Sequence, residues 1–189
     1  MPLRKVILDA NVIIPAALRD TLLRAAEVEL YDVYWSEAIL DEVQRNLVKN
    51  GLTTAQGAES LTLTLRAFFP NALVTDYENL IPILTNDPKD RHVLAAAIVT
   101  GASVIVTSNR KHFPRRATEP HSVMVHSPNA FLTGLFHVAP EPLGQIILDQ
   151  AAALRKTQVT AADVLDRVAL HAPTFATLVR ERLIQQGSL

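Results

Sequence analysis

The hydrophobic pattern along the chain switches repeatedly between two periods. Val6, Ile7 and Leu8 form a short continuous apolar run with β-branched members, which predicts a strand buried on both faces. Asp20 is placed as the N-cap of a helix carrying Leu22, Leu23, Ala26 and Leu30 on one side. Tyr31 to Trp35 alternates and predicts a second strand. Ser36 then caps a helix whose apolar Ile39, Leu40, Val43 and Leu47 follow the helical period. Thr54 to Phe69 reads as a long helix stopped by Pro70, Ala72 to Thr75 as a strand, and Asp90 to Thr100 as a helix ended by Gly101. Ser103 to Thr107 is the clearest strand of the chain, and Ser122 to His126 is a weaker one. Strands alternating with helices predict an α/β fold, with a central parallel sheet flanked by helices in three layers.

Beyond about residue 128 only the helical period remains. Pro128 to Phe136, Leu143 to Leu154, Ala161 to Leu170 and Thr174 to Gln185 are the predicted helices, separated by Pro140, Pro142 and Pro173. The proline-containing stretch from Val138 to Pro142 supplies the boundary. It gives a sheet-based domain over 1–137 and a C-terminal helical extension over 138–189, packed on or beside it.

Composition changes this picture little. Hydrophobic residues make up 49% of the chain, which suits a folded core and argues against disorder. The 18 Lys+Arg nearly balance the 19 Asp+Glu, so a nucleic-acid partner would need a local basic patch rather than a global field. The absence of cysteine excludes disulfides and thiolate metal sites. Met1 to Leu18 superficially resembles a leader peptide, but Asp9 and Asn11 interrupt its apolar stretch. Val93 to Val106 is too short to span a bilayer and contains Gly101 and Ser103, so a soluble intracellular protein with no membrane partner is expected.

Three carboxylates stand where a parallel sheet would form a site, at the carboxyl ends of its strands. Asp9 follows the first strand directly, Glu42 lies two turns into the helix after the second, and Asp90 opens the helix before the strongest strand. Read separately, these are a turn residue, a solvated helix charge and an N-cap for which Asp87 competes. Read together, they form a costly cluster without a counter-ion, and a hard divalent cation such as Mg²⁺ or Mn²⁺ would relieve it. Carboxylates and metal on this scaffold point to phosphodiester hydrolysis.

Four segments carry a resemblance to a known family. They are Val6-Ile7-Leu8-Asp9-Ala10-Asn11-Val12-Ile13, Trp35-Ser36-Glu37-Ala38-Ile39-Leu40-Asp41-Glu42-Val43, Asp87-Pro88-Lys89-Asp90-Arg91-His92 with the alanine-rich helix after it, and Val104-Ile105-Val106-Thr107-Ser108-Asn109-Arg110-Lys111-His112-Phe113-Pro114. In this order they resemble the PIN-domain family, which includes the VapC-like toxin ribonucleases of bacterial toxin–antitoxin pairs. The resemblance covers roughly residues 5–126. It implies a PIN-like fold in which Asp9, Glu42 and Asp90 are the acidic metal-site residues, and Asn109 stands at the family's fourth acidic or amide position. Many members have Asp there, so Asn109 would weaken a second metal. The resemblance makes Asn11 and Thr107 supporting residues, and it finds His112 where members often carry Asp. A turn role for Asn109 stays open, because Asn favours turns after strands. Arg110, Lys111, Arg115 and Arg116 form a basic cluster that could hold RNA phosphates, or could be a solvated loop. His112 reads more simply as a polar loop residue than as a ligand.

The implied activity is that of a Mg²⁺-dependent (or Mn²⁺-dependent) endoribonuclease, the toxin of a type II pair. It would be cytoplasmic and homodimeric, with RNA as substrate and a small antitoxin as partner. The alternatives are a catalytically weak or inactive PIN domain that binds RNA or protein, and a stand-alone RNA-processing nuclease. A haloacid-dehalogenase-like phosphotransferase would need an acid two positions after Asp9, where this chain has Asn11. A P-loop or Rossmann nucleotide site would need a glycine cluster after a strand, and the six glycines are scattered.

Overall fold

The computed structural model describes residues 4–154 and 158–189. Residues 1–3, which open both the leader-like stretch and the expected first domain, lie outside the described residues. The apolar run at the start becomes β1 (Lys5–Leu8), at the centre of a five-stranded sheet of order β3-β2-β1-β4-β5. The other strands are β2 (Asp32–Ser36), β3 (Leu73–Val74), β4 (Val104–Val106) and β5 (Met124–His126), and every pairing is parallel. β1 and β4 are the two innermost strands of apolar character, Val6-Ile7-Leu8 and Val104-Ile105-Val106. All six side chains are buried, which is why these strands read as continuous rather than alternating runs.

Contacts among the described residues group the chain into two units, 1–14 with 31–126, and 15–30 with 127–189. The first holds the sheet and its flanking helices α1 (Ala10–Ile13), α3 (Glu37–Lys49), α4 (Ala55–Phe68), α5 (Arg91–Thr100) and α6 (Arg115–Thr118). As expected, Ser36 caps α3 by accepting from the Ile39 N–H at 3.3 Å, and Gly101 ends α5 in the left-handed conformation at φ +67°. Thr54 caps α4 through the Gly57 N–H at 3.1 Å. Trp35 is fully buried in β2 and meets Phe69 edge to face at 5.7 Å.

The second unit contains α2 (Ala16–Glu27), α7 (Pro128–Val138), α8 (Pro140–Ala153), α9 (Ala161–Ala169) and α10 (Pro173–Gln185). The prolines expected to separate helices instead occupy their first turns, where the missing N–H costs nothing. Phe136 and Phe175 cross at 6.4 Å, and the Asn129 side chain accepts from the Thr174 and Phe175 N–H groups at the head of α10. Buried Gln150 donates to the Ala17 carbonyl at 2.9 Å and accepts from the Thr21 hydroxyl at 3.0 Å, which ties α8 to α2.

The reading of the first long helix needs correction. Asp20 is not an N-cap. α2 begins at Ala16 after Pro15, so Asp20 lies inside the helix and pairs with Arg24 one turn on at 3.0 Å. Leu30 falls beyond the end of that helix. By contacts, α2 groups with the C-terminal helices, and the units meet in sequence at 126/127. Amphipathic spacing shows that α2 has a buried face but carries no information about which unit that face joins.

Candidate metal centre

The sheet order places β1 where the chain reverses direction across the sheet: β2 and β3 lie to one side, β4 and β5 to the other. Such a switch point leaves a crevice at the carboxyl ends of the two central strands. Leu8 is in register with Val106, so the next residues, Asp9 and Thr107, emerge there as neighbours. The Asp9 N–H donates to the Val106 carbonyl at 3.1 Å.

Asp9 is 1% exposed and both of its carboxylate oxygens accept hydrogen bonds. Oδ1 accepts from the Ala10 N–H at 2.7 Å, which caps α1, while Oδ2 accepts from Asn11 Nδ2 at 2.5 Å and from the Thr107 hydroxyl at 2.6 Å. Thr107 Oγ1 in turn accepts from Asn11 Nδ2 and the Asn109 N–H, both at 3.0 Å, and Asn11 Oδ1 accepts from the Ser108 N–H at 2.8 Å. The turn after β1 and the turn after β4 are thereby locked to each other through the Asp9 carboxylate and the Asn11 amide.

The other two carboxylates approach from helices. Glu42, half-buried on α3, lines a cleft of about 550 Å³ together with Asp90, Asn109 and His112. Asp90 lies at the end of a 3-10 turn, Pro88–Asp90, that leads into α5. It is 7% exposed. It occupies the N-cap position of α5 without making a side-chain cap bond; the capping in this segment is done by Asp87, whose Oδ1 accepts from the Lys89 N–H at 3.0 Å. Asp90 Oδ2 instead meets His112 Nδ1 at 2.5 Å.

Electrostatics tie the three carboxylates together. Burial pushes the Asp9 carboxyl above its ordinary value and nearby Asp90 adds to the rise, while the bonds from Thr107, Ala10 and Asn11 oppose it. Burial likewise raises Glu42, with Asp9 and Asp90 both contributing and Arg45 opposing. Burial lowers His92, whose Nε2 is 3.8 Å from Glu42, and so favours its neutral form. A buried, mutually repelling trio of acids is what a divalent cation would stabilise, so the donor set fits hard-metal binding.

The sequence-predicted residues do not all share one surface. Asp9, Asn11 and Thr107 form the buried anchor, while Glu42, Asp90 and Asn109 face the cleft. The basic cluster divides. Arg110 and Arg115 line a separate groove of about 540 Å³ with Phe113, Met124 and His126 at edge strand β5, and Lys111 and Arg116 line neither cavity. Arg115 also pairs with Glu119 at 2.6 Å on an exposed surface. The cations that do line the carboxylate cleft are Arg45 and Lys89, which sequence reasoning missed. Arg45 could have been found from its position one helical turn after Glu42. Among the described residues, Asp87, Asp90 and His112 bring potential ligand atoms within 4.8 Å of one another.

A family model described as PIN domain matches residues 5–111, which contain Asp9, Glu42, Asp90 and Asn109. The chain belongs to the PIN-domain family. A relative from Mycobacterium tuberculosis (strain ATCC 25618 / H37Rv), named "Putative ribonuclease VapC50", is 38% identical over 123 residues, 63% of this chain and 72% of that protein. No solved structure matches. The PIN match ends just before His112 and does not extend to α7–α10.

Proposed function

We propose that this PIN-domain protein is a divalent-metal-dependent endoribonuclease and the toxin of a type II toxin–antitoxin pair. The observation that carries the nuclease reading is the grouping of Asp9, Glu42 and Asp90 at the switch point, each buried or half-buried and electrostatically coupled to another. The relative named as a ribonuclease supports RNA as the substrate. It also supports the toxin role, in which a small antitoxin is the partner and the toxin is homodimeric.

Asp9, Glu42 and Asp90 are the residues that would hold Mg²⁺ or Mn²⁺. When bound, such an ion neutralises the acids, polarises a phosphoryl oxygen and lowers the pKa of water. The protein's own groups do the remaining work. Thr107 and Asn11 fix the orientation of the Asp9 carboxylate, which would limit the reordering an ion demands of it. Arg45 and Lys89 face the cleft and can take the phosphate that enters it. Asn109 offers its amide at the same cleft. Arg110 and Arg115, which line the groove at β5, would hold RNA further along the strand, with Lys111 and Arg116 adding positive field.

One observation favours a second reading, a PIN domain that binds RNA without cutting it: an amide, Asn109, stands in the cleft where another acid would strengthen metal binding. Incubating the protein with a panel of structured RNAs, tRNAs included, separates the two. The nuclease reading expects cleavage that stops with chelator and returns with Mg²⁺ or Mn²⁺. Tight RNA binding with no cleavage in either ion would establish the binding module instead.

A further inference from the structure

We propose that Asp87, Asp90 and His112 form a cation position with a nitrogen ligand, which shares Asp90 with Asp9 and Glu42 and makes the centre prefer Mn²⁺ to Mg²⁺. The proposal rests on the metal-dependent reading of the cleft. It goes beyond that reading by adding Asp87 and His112 to the expected trio, and so by making one ligand an imidazole.

The backbone builds this position before any ion arrives. The Asp87 N–H donates to the His112 carbonyl at 3.1 Å, which fastens the segment before α5 to the 3-10 turn Arg110–His112 after β4. The His112 N–H donates to the Asn109 carbonyl at 2.9 Å and closes that turn. With both segments fixed, the carboxylates of Asp87 and Asp90 and a ring nitrogen of His112 converge within 4.8 Å. Ligands around a cation with bonds of roughly 2.1 Å stand about 3–4 Å apart, so small side-chain rotations bring all three into one coordination shell. Asp90 is buried and free of cap duty, and His112 Nδ1 lies 2.5 Å from its Oδ2, so the nitrogen and the carboxylate already face each other. Both line the cleft that also holds Glu42, so an ion has a route in.

The ligand types set the preference. Oxygen-only sets suit Mg²⁺, whereas imidazole binds first-row transition ions more strongly. The plainer alternative is that Asp90 and His112 are only a hydrogen-bonded pair that braces the turn.

Pulsed electron paramagnetic resonance of Mn²⁺ bound to the metal-free protein, with no RNA present, distinguishes these directly. Modulation from a coordinated imidazole nitrogen is expected in the wild type and in His92→Gln, because His92 is the other imidazole lining the cleft. It should vanish in His112→Asp, and the preference for Mn²⁺ over Mg²⁺ in competition titrations should fall by about tenfold. No nitrogen modulation in the wild type, its loss in His92→Gln, or its persistence in His112→Asp would each overturn the proposal. If His112→Asp does not fold, the wild-type and His92→Gln spectra still decide, since no other imidazole among the described residues lines the cleft. Because no cleavage is measured, an RNA that is not cut leaves this result intact.

Discussion

Thr107→Val removes one hydroxyl at the point where the turns after β1 and β4 are joined, and its cost can be worked from the contacts. Valine keeps the branched shape, so packing is little changed. Three short hydrogen bonds are lost, together with a long 3.5 Å contact to Asn11 Oδ1. Asn11 Nδ2 keeps its other partner, Asp9 Oδ2 at 2.5 Å, and the N–H of exposed Asn109 can turn to water, so these two losses are small. The third is the bond from Thr107 Oγ1 to the buried Asp9 carboxylate at 2.6 Å. Hydrogen bonds to charged groups contribute roughly 1.5–3 kcal/mol, so the variant should lose about 2 kcal/mol of stability while Asp9 is ionised. The sign of the pH dependence follows from Asp9. Its folded pKa lies above its ordinary value because of burial, so its contribution to stability is present at low pH and is lost as pH rises through the folded value. Thr107 limits that loss, and without it the folded value moves higher still. Urea denaturation in chelator should therefore show a larger cost at pH 8 than at pH 3.5, where Asp9 is protonated in the folded state and largely so in the unfolded one, and about 1 kcal/mol remains. A cost under about 0.5 kcal/mol at pH 8, or one that does not change with pH, would refute the assignment of Thr107 as the anchor of an ionised Asp9.

Other perturbations give equally direct outcomes. Glu42→Gln should make the metal-free protein melt higher than wild type at pH 8 and much less so at pH 4, because the raised Glu42 pKa means its stabilising contribution is lost as pH rises; identical melting shifts at both pH values would show that the acids do not repel. Arg45→Ala, tested in the Asp90→Asn background to prevent cutting, should weaken RNA binding and lower the salt slope by about one, and an unchanged slope would remove Arg45 from the phosphate path. Gly101→Ala should cost about 1 kcal/mol in thermal unfolding, since φ is +67° and no atom lies within 4 Å of the added methyl, and it should leave Mn²⁺ affinity unchanged.

Much of the sheet unit could be read from the sequence because its signals are local. Val6-Ile7-Leu8 and Val104-Ile105-Val106 are apolar without alternation because both faces of these strands are covered, and Ser36, Thr54 and Gly101 punctuate helices by their own chemistry. The side of the sheet on which each strand lies is not local, yet strict strand–helix alternation restricts it enough to place Asp9 at a strand mouth. The parts that were not legible depend on competition or on long-range placement. Asp20 looked like a cap, but a helix that starts four residues earlier turns it into an ion-pair partner for Arg24. Asp87 and Asp90 were equal candidates for capping, and only the geometry shows Asp87 doing so and leaving Asp90 available. The basic run from Arg110 to Arg116 looked continuous, but two short helical turns send its members to different surfaces, while Arg45 and Lys89 reach the cleft from other elements. The pairing of His112 with Asp90 spans segments far apart in the chain and leaves no periodic trace.

The central claim is that the acids at the switch point hold a catalytic cation that cuts RNA. The most direct test is RNA cleavage measured against increasing Mn²⁺ and Mg²⁺ for the wild type, Asp9→Asn and Asp90→Asn, with circular dichroism confirming that each variant is folded. Saturable, chelator-reversible cleavage by the wild type is expected, and none above background by either folded variant at any ion concentration. Wild-type rates in a folded Asp90→Asn protein, or cleavage by the wild type that persists in chelator, would contradict it.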